Sequence, residues 1–237
     1  MKTKVFIGVP TSENGRAAVF YDYVNNLHKP EGTIGAGFHT PSGAMNRNLI
    51  IEEALRTQCT HILFIDDDMA FPPDALLKLL RHEVNVVSGL YFNRCYPHNP
   101  VLFDYNQDNR FTRHFLNDDE HGLIECEAVG FGFLLVNTKI FESLAKPYVR
   151  MGEIRSDERN EDIGFCLRCR QASIPVHCDL DLPIGHIGQA TFWPSFSNGI
   201  WYTAIDTNGD QIAYIPQITN PDIPSNKLGP IEEVPGY

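Results

Sequence analysis

The stretch His61-Ile-Leu-Phe-Ile-Asp-Asp-Asp-Met-Ala-Phe-Pro-Pro-Asp74 constrains this chain more than any other. Its short apolar run reads as a buried strand that stops abruptly at three consecutive carboxylates. Two prolines then break the chain, and Asp74 reads as the cap of a helix with apolar spacing from Ala75 to Arg81. Alternation along a strand would send Asp66 and Asp68 to one side and Asp67 to the other. Like charges held together cost free energy unless a cation or hydrogen-bond donors compensate them. The carboxyl end of a buried parallel strand is also where open α/β sheets build ligand crevices. A hard, oxygen-seeking divalent ion accounts for such a cluster. So does a solvated turn whose acids favour the N-terminus of the next helix. A calcium EF-hand does not, because the alternating Asp/Asn positions, central glycine and closing Glu are missing.

The surrounding pattern alternates between strand and helix. Lys4 to Val9 reads as a first strand, stopped by Pro10 and Thr11. Asn14 to His28 has helical spacing, with Ala17, Phe20, Tyr21 and Val24 on one face. Gly32 to Phe38 is a short strand or loop, and its Gly35-Ala36-Gly37 lacks the third glycine of a dinucleotide fingerprint. Ser42 or Gly43 opens a helix to about Thr57, and Val84 to Leu90 is a further strand. Such alternation predicts an α/β fold with a mostly parallel central sheet covered by helices.

Beyond Tyr91 the pattern loosens. Pro97 to Phe103 reads as an edge strand, Asp104 to Gly122 as a polar irregular loop and Gly122 to Val136 as a strand pair. Helices are expected over Thr138 to Leu144 and Glu161 to Ala172, with short extended pieces from Val176 to Ile187. After Gln189 the composition shifts to clustered aromatics, a hairpin signal at Thr207-Asn-Gly-Asp210 and a Pro/Asn/Gly-rich tail from Pro216. The expected organisation is a main domain over 1–189 and a C-terminal extension over 190–237.

The net charge of −11 works against long phosphate-backbone contacts, which need Lys and Arg. No apolar run approaches the roughly 20 residues of a membrane-spanning helix. Pro10 ends the first apolar stretch too early for a signal peptide. Six scattered cysteines fit a reduced, cytoplasmic setting. Cys166, Cys169, His177 and Cys178 could supply four zinc ligands. Adjacent strand side chains point oppositely, however, so small buried core residues are the preferred reading.

Several polar residues stand where a core would not want them. Arg47 falls on the apolar stripe of its helix with Ile51, Ala54 and Leu55, so it needs an anionic partner or must snorkel to solvent. Arg94 follows Tyr91 and Phe92 at a strand end and poses the same question. Gly130 and Gly132 suit close approach of a ligand or of packed neighbours. His186 lies between Gly185 and Gly188, as a metal ligand or a hydrogen-bonded turn residue. Glu161 and Asp162 open a helix, as caps or as catalytic carboxylates.

The block Ile62-Leu-Phe-Ile-Asp-Asp-Asp-Met-Ala-Phe-Pro-Pro-Asp74 resembles the DxD region of nucleotide-sugar-dependent glycosyltransferases with the GT-A fold. Further elements follow in that family's order. They are Val86-Val-Ser-Gly-Leu-Tyr-Phe-Asn-Arg94 with Pro97 and Pro100-Val101, Val129-Gly-Phe-Gly-Phe133, Asn160-Glu-Asp162 and Gly185-His-Ile-Gly188. Together they span about residues 3–190.

The resemblance implies a GT-A, Rossmann-like domain and transfer of a sugar from a nucleoside-diphosphate donor, with Mn2+ or Mg2+ as cofactor. It implies Asp68 and His186 as metal ligands, Asp66 near the ribose and the metal, and Asp67 near the sugar. It implies Pro10 and Thr11 against the nucleoside base and Gly130 and Gly132 near the sugar or acceptor; the buried cations Arg47 and Arg94 would find their partner in a diphosphate or in an Asp of the acidic loop. Asp162, with Glu161, would be the catalytic carboxylate of an inverting reaction. Compact relatives act in bacterial surface-polysaccharide pathways and in bacteriophages, some on viral DNA bases, so the acceptor would be a glycan or a modified DNA base. A nucleotidyltransferase or phosphohydrolase could use the same acidic site, and a non-catalytic nucleotide-sugar-binding protein could retain it.

Overall fold

A computed structural model describes residues 2–11, 18–94, 98–108, 110–151, 161–188, 190–197, 199–207 and 210–214. The N-terminal third alternates as its sequence requires: β1 (Val5–Pro10), α1 (Ala18–Asn26), β2 (Ile34–Phe38), α2 (Gly43–Arg56) and β3 (His61–Ile65). β1 lies between β2 and β3, parallel to both. Ser42 caps α2, its hydroxyl accepting the Met45 N–H at 3.4 Å. Next come β4 (Met69–Ala70), α3 (Ala75–Arg81), β5 (Val86–Leu90), β6 (Leu102–Tyr105), β7 (Phe111–Arg113), β8 (Leu123–Cys126), β9 (Ala128–Val129) and β10 (Phe133–Asn137). A 3-10 turn over Thr138–Glu142 precedes α4 (Glu161–Gln171), β11 (Val176–Pro183), β12 (Gly185–Ile187), β13 (Thr191–Ser197), β14 (Ile200–Thr207) and β15 (Asp210–Tyr214).

Seven strands form the central sheet in the order β2-β1-β3-β10-β5-β11-β8. Five run one way, and β10 and β8 run antiparallel to their neighbours. This is the expected α/β class: a mostly parallel sheet between helices, with smaller antiparallel parts. Side-chain alternation divides its core in two. Phe6, Ile62, Phe64, Val86 and Leu134 pack on one face with Ile50 and Ile51 of α2 and Phe165 of α4. Ile7, Leu63, Ile65, Val87 and Phe133 pack on the other with Phe20 of α1 and Leu76 and Leu79 of α3. Because both faces are covered, β3 must be apolar almost throughout. At Gly8 any Cβ would collide with the Ile50 side chain, so glycine sets how closely α2 approaches β1.

Several local expectations change. Tyr21, expected on the buried face of α1, is 59% exposed; Asn14 and Ala17 lie outside the described residues. Asp74 sits at the start of α3 without a capping hydrogen bond and pairs instead with Lys78 one turn on, at 3.2 Å. Of the edge strand expected from Pro97, which is itself outside the described residues, β6 begins at Leu102, and Pro100, which has no N–H, makes an isolated bridge with Phe92. The polar stretch after it holds β7, which pairs antiparallel with β6. The helix expected after Thr138 is the 3-10 turn.

After Gln189, which is outside the described residues, β13, β14 and β15 form successive antiparallel pairs. They continue through β12 to β4 in a five-stranded sheet. The expected hairpin is present, with Thr207 opposite Asp210; the tail from Pro216 lies outside the described residues. No helix among the described residues is long and apolar enough to cross a membrane.

Phe64 is fully buried, edge-on to Phe131 at 5.0 Å between ring centroids. In urea unfolding, Phe64→Ala is expected to lose about 3–5 kcal/mol, whereas Tyr21→Ala should change stability by less than about 1 kcal/mol.

Candidate functional site

The carboxyl ends of β1, β2 and β3 lie side by side, and the chain beyond them builds a cleft of about 490 Å3. β3 ends at Ile65, and the next residues turn, the Met69 N–H donating to the Asp66 carbonyl at 3.3 Å. Strand alternation therefore does not extend to the acids. Asp66, Asp67 and Asp68 all line the cleft, together with Pro10, Thr11, Asn46 and Arg47.

His186 reaches this turn through a two-residue ladder. β12 pairs antiparallel with β4, placing His186 opposite Met69, and the Ile187 N–H donates to the Asp68 carbonyl at 2.7 Å. His186 Nδ1 lies 2.9 Å from the Phe92 carbonyl oxygen. A carbonyl can only accept, so Nδ1 carries a proton and Nε2 is the nitrogen turned toward the acidic turn. That Nε2 faces Asp68 Oδ2 at 3.5 Å. A second proton on the imidazole or a cation beside the pair makes that approach favourable. Arg94 Nη1 stands 3.2 Å from the same Oδ2 and donates to the Ile187 carbonyl at 3.1 Å. The Tyr91 ring meets the imidazole nearly perpendicular, at 5.7 Å between centroids, and so helps fix its plane.

Arg47 organises the other side of the cleft. It is 7% exposed, with Nη2 2.8 Å from Asp66 Oδ1, Nη1 2.5 Å from Glu161 Oε1 and its guanidinium 4.6 Å above the Phe131 ring. Burial works against its charge, but Asp66 and Glu161 outweigh that and hold its pKa up. A Cβ at Gly43 would strike both Glu161 Oε1 and Arg47 Nη1, so the start of α2 must be glycine for this pair to form.

Asp162 starts α4 beside Glu161, with Oδ1 accepting the Ile163 N–H at 2.9 Å. Burial pushes its carboxyl up to about 6, against the opposing pull of the Ile163 N–H and Arg47.

The expected metal set of Asp66, Asp68 and His186 does not converge as three. Asp66 is held by Arg47, leaving Asp68 and His186 as a facing pair. Among the described residues, no group of three or more His, Cys, Asp or Glu side chains is arranged to hold a metal ion. That statement covers the alternative zinc set too: Cys166, Cys169 and Cys178 are buried core residues, and His177 bonds the Val86 carbonyl.

Gly130 and Gly132 are explained by packing, because a Cβ at either would run into the Tyr91 ring. One cleft residue carried no expectation. Asn46 is 3% exposed, and its Oδ1 has no hydrogen-bond partner among the described residues. Its signal was available as a polar residue one turn before Ile50 on the buried side of α2.

No family model matches the chain, and no curated protein matches it significantly. Among solved structures, A197 from STIV aligns over 81% of this chain and 90% of its own length, at 13% identity and a TM-score of 0.57. The two share a fold. The catalytic domain of Drosophila beta1,4-galactosyltransferase 7, solved with xylobiose, aligns over 74% of this chain and 64% of its own, at 18% identity and a TM-score of 0.45. Apo UDP-glucose pyrophosphorylase aligns over 75% and 73%, at 9% identity and 0.40. These last two likenesses are too slight to carry conclusions about this chain.

Removing Arg47 would leave Asp66 and Glu161 facing each other without a counter-charge. Arg47→Met is expected to lose about 2–3 kcal/mol in urea unfolding, reduced from the fully buried case because both acids retain some solvent. The triple variant Arg47→Met/Asp66→Asn/Glu161→Gln should regain most of that loss.

Proposed function

We propose that the cleft binds a nucleoside-diphosphate sugar and that the protein is a metal-dependent glycosyltransferase, moving the sugar to an acceptor hydroxyl. The facing pair of Asp68 Oδ2 and His186 Nε2, with the imidazole proton committed to the Phe92 carbonyl, carries this reading. Three aspartates and one arginine line the cleft, so a diphosphate alone would meet a repulsive wall. A divalent cation on Asp68 and His186 fits that donor set, since such ions bind through one or two protein groups and complete their shell with phosphate oxygens. The imidazole favours Mn2+ over Mg2+. When bound, the ion supplies neutralisation of the charge that grows on a leaving diphosphate.

The chain's own groups supply the rest of the reaction. Pro10 and Thr11 border the nucleoside end of the cleft, and Asn46 Oδ1 offers an unused acceptor to a ligand hydroxyl or N–H. Arg47 is committed to Asp66 and Glu161, which positions the acid turn against α4. Asp162 takes the proton of the acceptor hydroxyl as its oxygen bonds to the anomeric carbon. The bond from that carbon to the diphosphate breaks with its electron pair on the diphosphate, so configuration inverts. A carboxyl held near 6 is mostly ionised at neutral pH yet more basic than an ordinary aspartate. The net charge of −11 favours a glycan over DNA as acceptor.

A thermal-shift panel of nucleotide sugars, with and without Mn2+, tests donor binding. One donor should raise the melting temperature only with Mn2+, and Asp68→Asn or His186→Gln should abolish that shift. Asp162→Asn should keep the shift and lose about 100-fold or more in transfer rate. Because the raised pKa keeps the carboxyl protonated below about 6, the wild-type rate should fall as pH drops through that value. Free nucleoside diphosphate is the expected product; release of pyrophosphate or monophosphate instead would contradict the proposal.

A further inference from the structure

A second cavity, of about 670 Å3, shares no lining residue with the acidic cleft. Trp193, Phe196, Trp201 and Tyr202 enter it from the β13–β14 hairpin, and Phe71 and Pro72 from the segment after the acidic turn. Trp201 and Tyr202 are buried, at 6% and 8% exposure, while Phe196 is 37% exposed. The imidazole of His121 meets the Phe196 ring edge-on at 4.6 Å and lies tilted against Trp201 at 5.8 Å. His121 Nδ1 is also 3.4 Å from Asp181 Oδ1.

The charges of this groove decide what it can hold. Asp181 and Asp206 line it, and no Lys or Arg among the described residues does. A nucleotide or other phosphorylated ligand would meet carboxylates with no compensating cation. A purely apolar chain would desolvate the Asp181 and Asp206 carboxylates without offering them a hydrogen bond. A ligand with apolar C–H faces and many neutral hydroxyls meets both demands. Its faces lie on the aromatic rings, while its hydroxyls donate to the carboxylates.

We infer that the groove beneath the β13–β14 hairpin is a binding site for a neutral glycan, distinct from the acidic cleft. This stands independently of the donor and the reaction assigned to the cleft. The groove and the cleft lie against one small sheet: Trp193 underlies Gly185, with its ring Cε2 2.8 Å from where a Cβ would sit, and the next residue is His186.

The chain has two tryptophans and both line the groove, so tryptophan emission reports on it directly. The full chain is titrated to millimolar levels with cellohexaose, maltohexaose and mannohexaose, beside UDP as a charged probe and decanol as a neutral apolar one. At least one oligosaccharide should change the emission saturably, without effect from EDTA or Asp68→Asn. Affinity should fall about tenfold or more in Trp193→Ala, followed by the emission of Trp201. The isosteric Asp206→Asn, with circular dichroism confirming the fold, should weaken it similarly and covers the case in which Trp193→Ala does not fold. The inference is overturned if no oligosaccharide perturbs the emission, if affinity is unchanged in folded variants, or if only UDP or decanol binds.

Discussion

The acidic cleft depends on one buried cation. Arg47 joins three pieces of chain that are remote in sequence: the first turns of α2, the turn after β3 and the start of α4. Its stacking on Phe131 ties that junction to the core. A buried ion pair seldom stabilises more than a well-packed apolar substitute would, so placement is the better account of Arg47 than net stability. It also divides two neighbouring carboxylates. Successive helical residues point about 100° apart, so Glu161 is the counter-ion facing α2 while Asp162 accepts the Ile163 N–H and has a raised pKa.

The opposite side of the cleft is set by backbone rather than by charge. Two residues of β12 pair with two of β4, and that short ladder brings an imidazole from the end of the domain onto the acidic turn. The carbonyl of Phe92 then fixes which ring nitrogen is protonated, the kind of supporting contact that orients a metal-binding histidine. Tyr91, the preceding residue, fills the space that Gly130 and Gly132 leave open. A stretch that reads only as the end of a strand therefore positions the imidazole twice, once through a carbonyl and once through a ring.

What was legible in the sequence follows from how local each signal is. β1, β3, β5 and α2 show in the apolar pattern because both faces of the sheet are buried and α2 carries a distinct stripe. The acid cluster was legible as a site, but the directions of its members were not, because β3 ends one residue before Asp66 and turn geometry replaces alternation. Arg47 was recognisable as a cation on an apolar stripe. Its partner Glu161 was not, since nothing local links α2 to α4. β7 escaped notice because three residues in a polar stretch carry no usable period. Gly130 and Gly132 suit a ligand or a ring equally well in sequence, and only the position of Tyr91 decides between them.

The two cavities divide the chain's acidity in chemically different ways. In the cleft, aspartates stand beside Arg47, and Arg94 and His186 approach Asp68, so the charge is mixed and directional. On the proposed function, a diphosphate would be repelled there until a cation on Asp68 and His186 reversed the local field, making donor entry conditional on the ion. In the groove no arginine or lysine among the described residues offsets Asp181 and Asp206, and aromatic rings line much of the remaining wall. On the two proposals together, the same net charge would admit phosphate to one cavity only with a metal and disfavour it in the other, sorting a charged donor from a neutral glycan before shape enters the question.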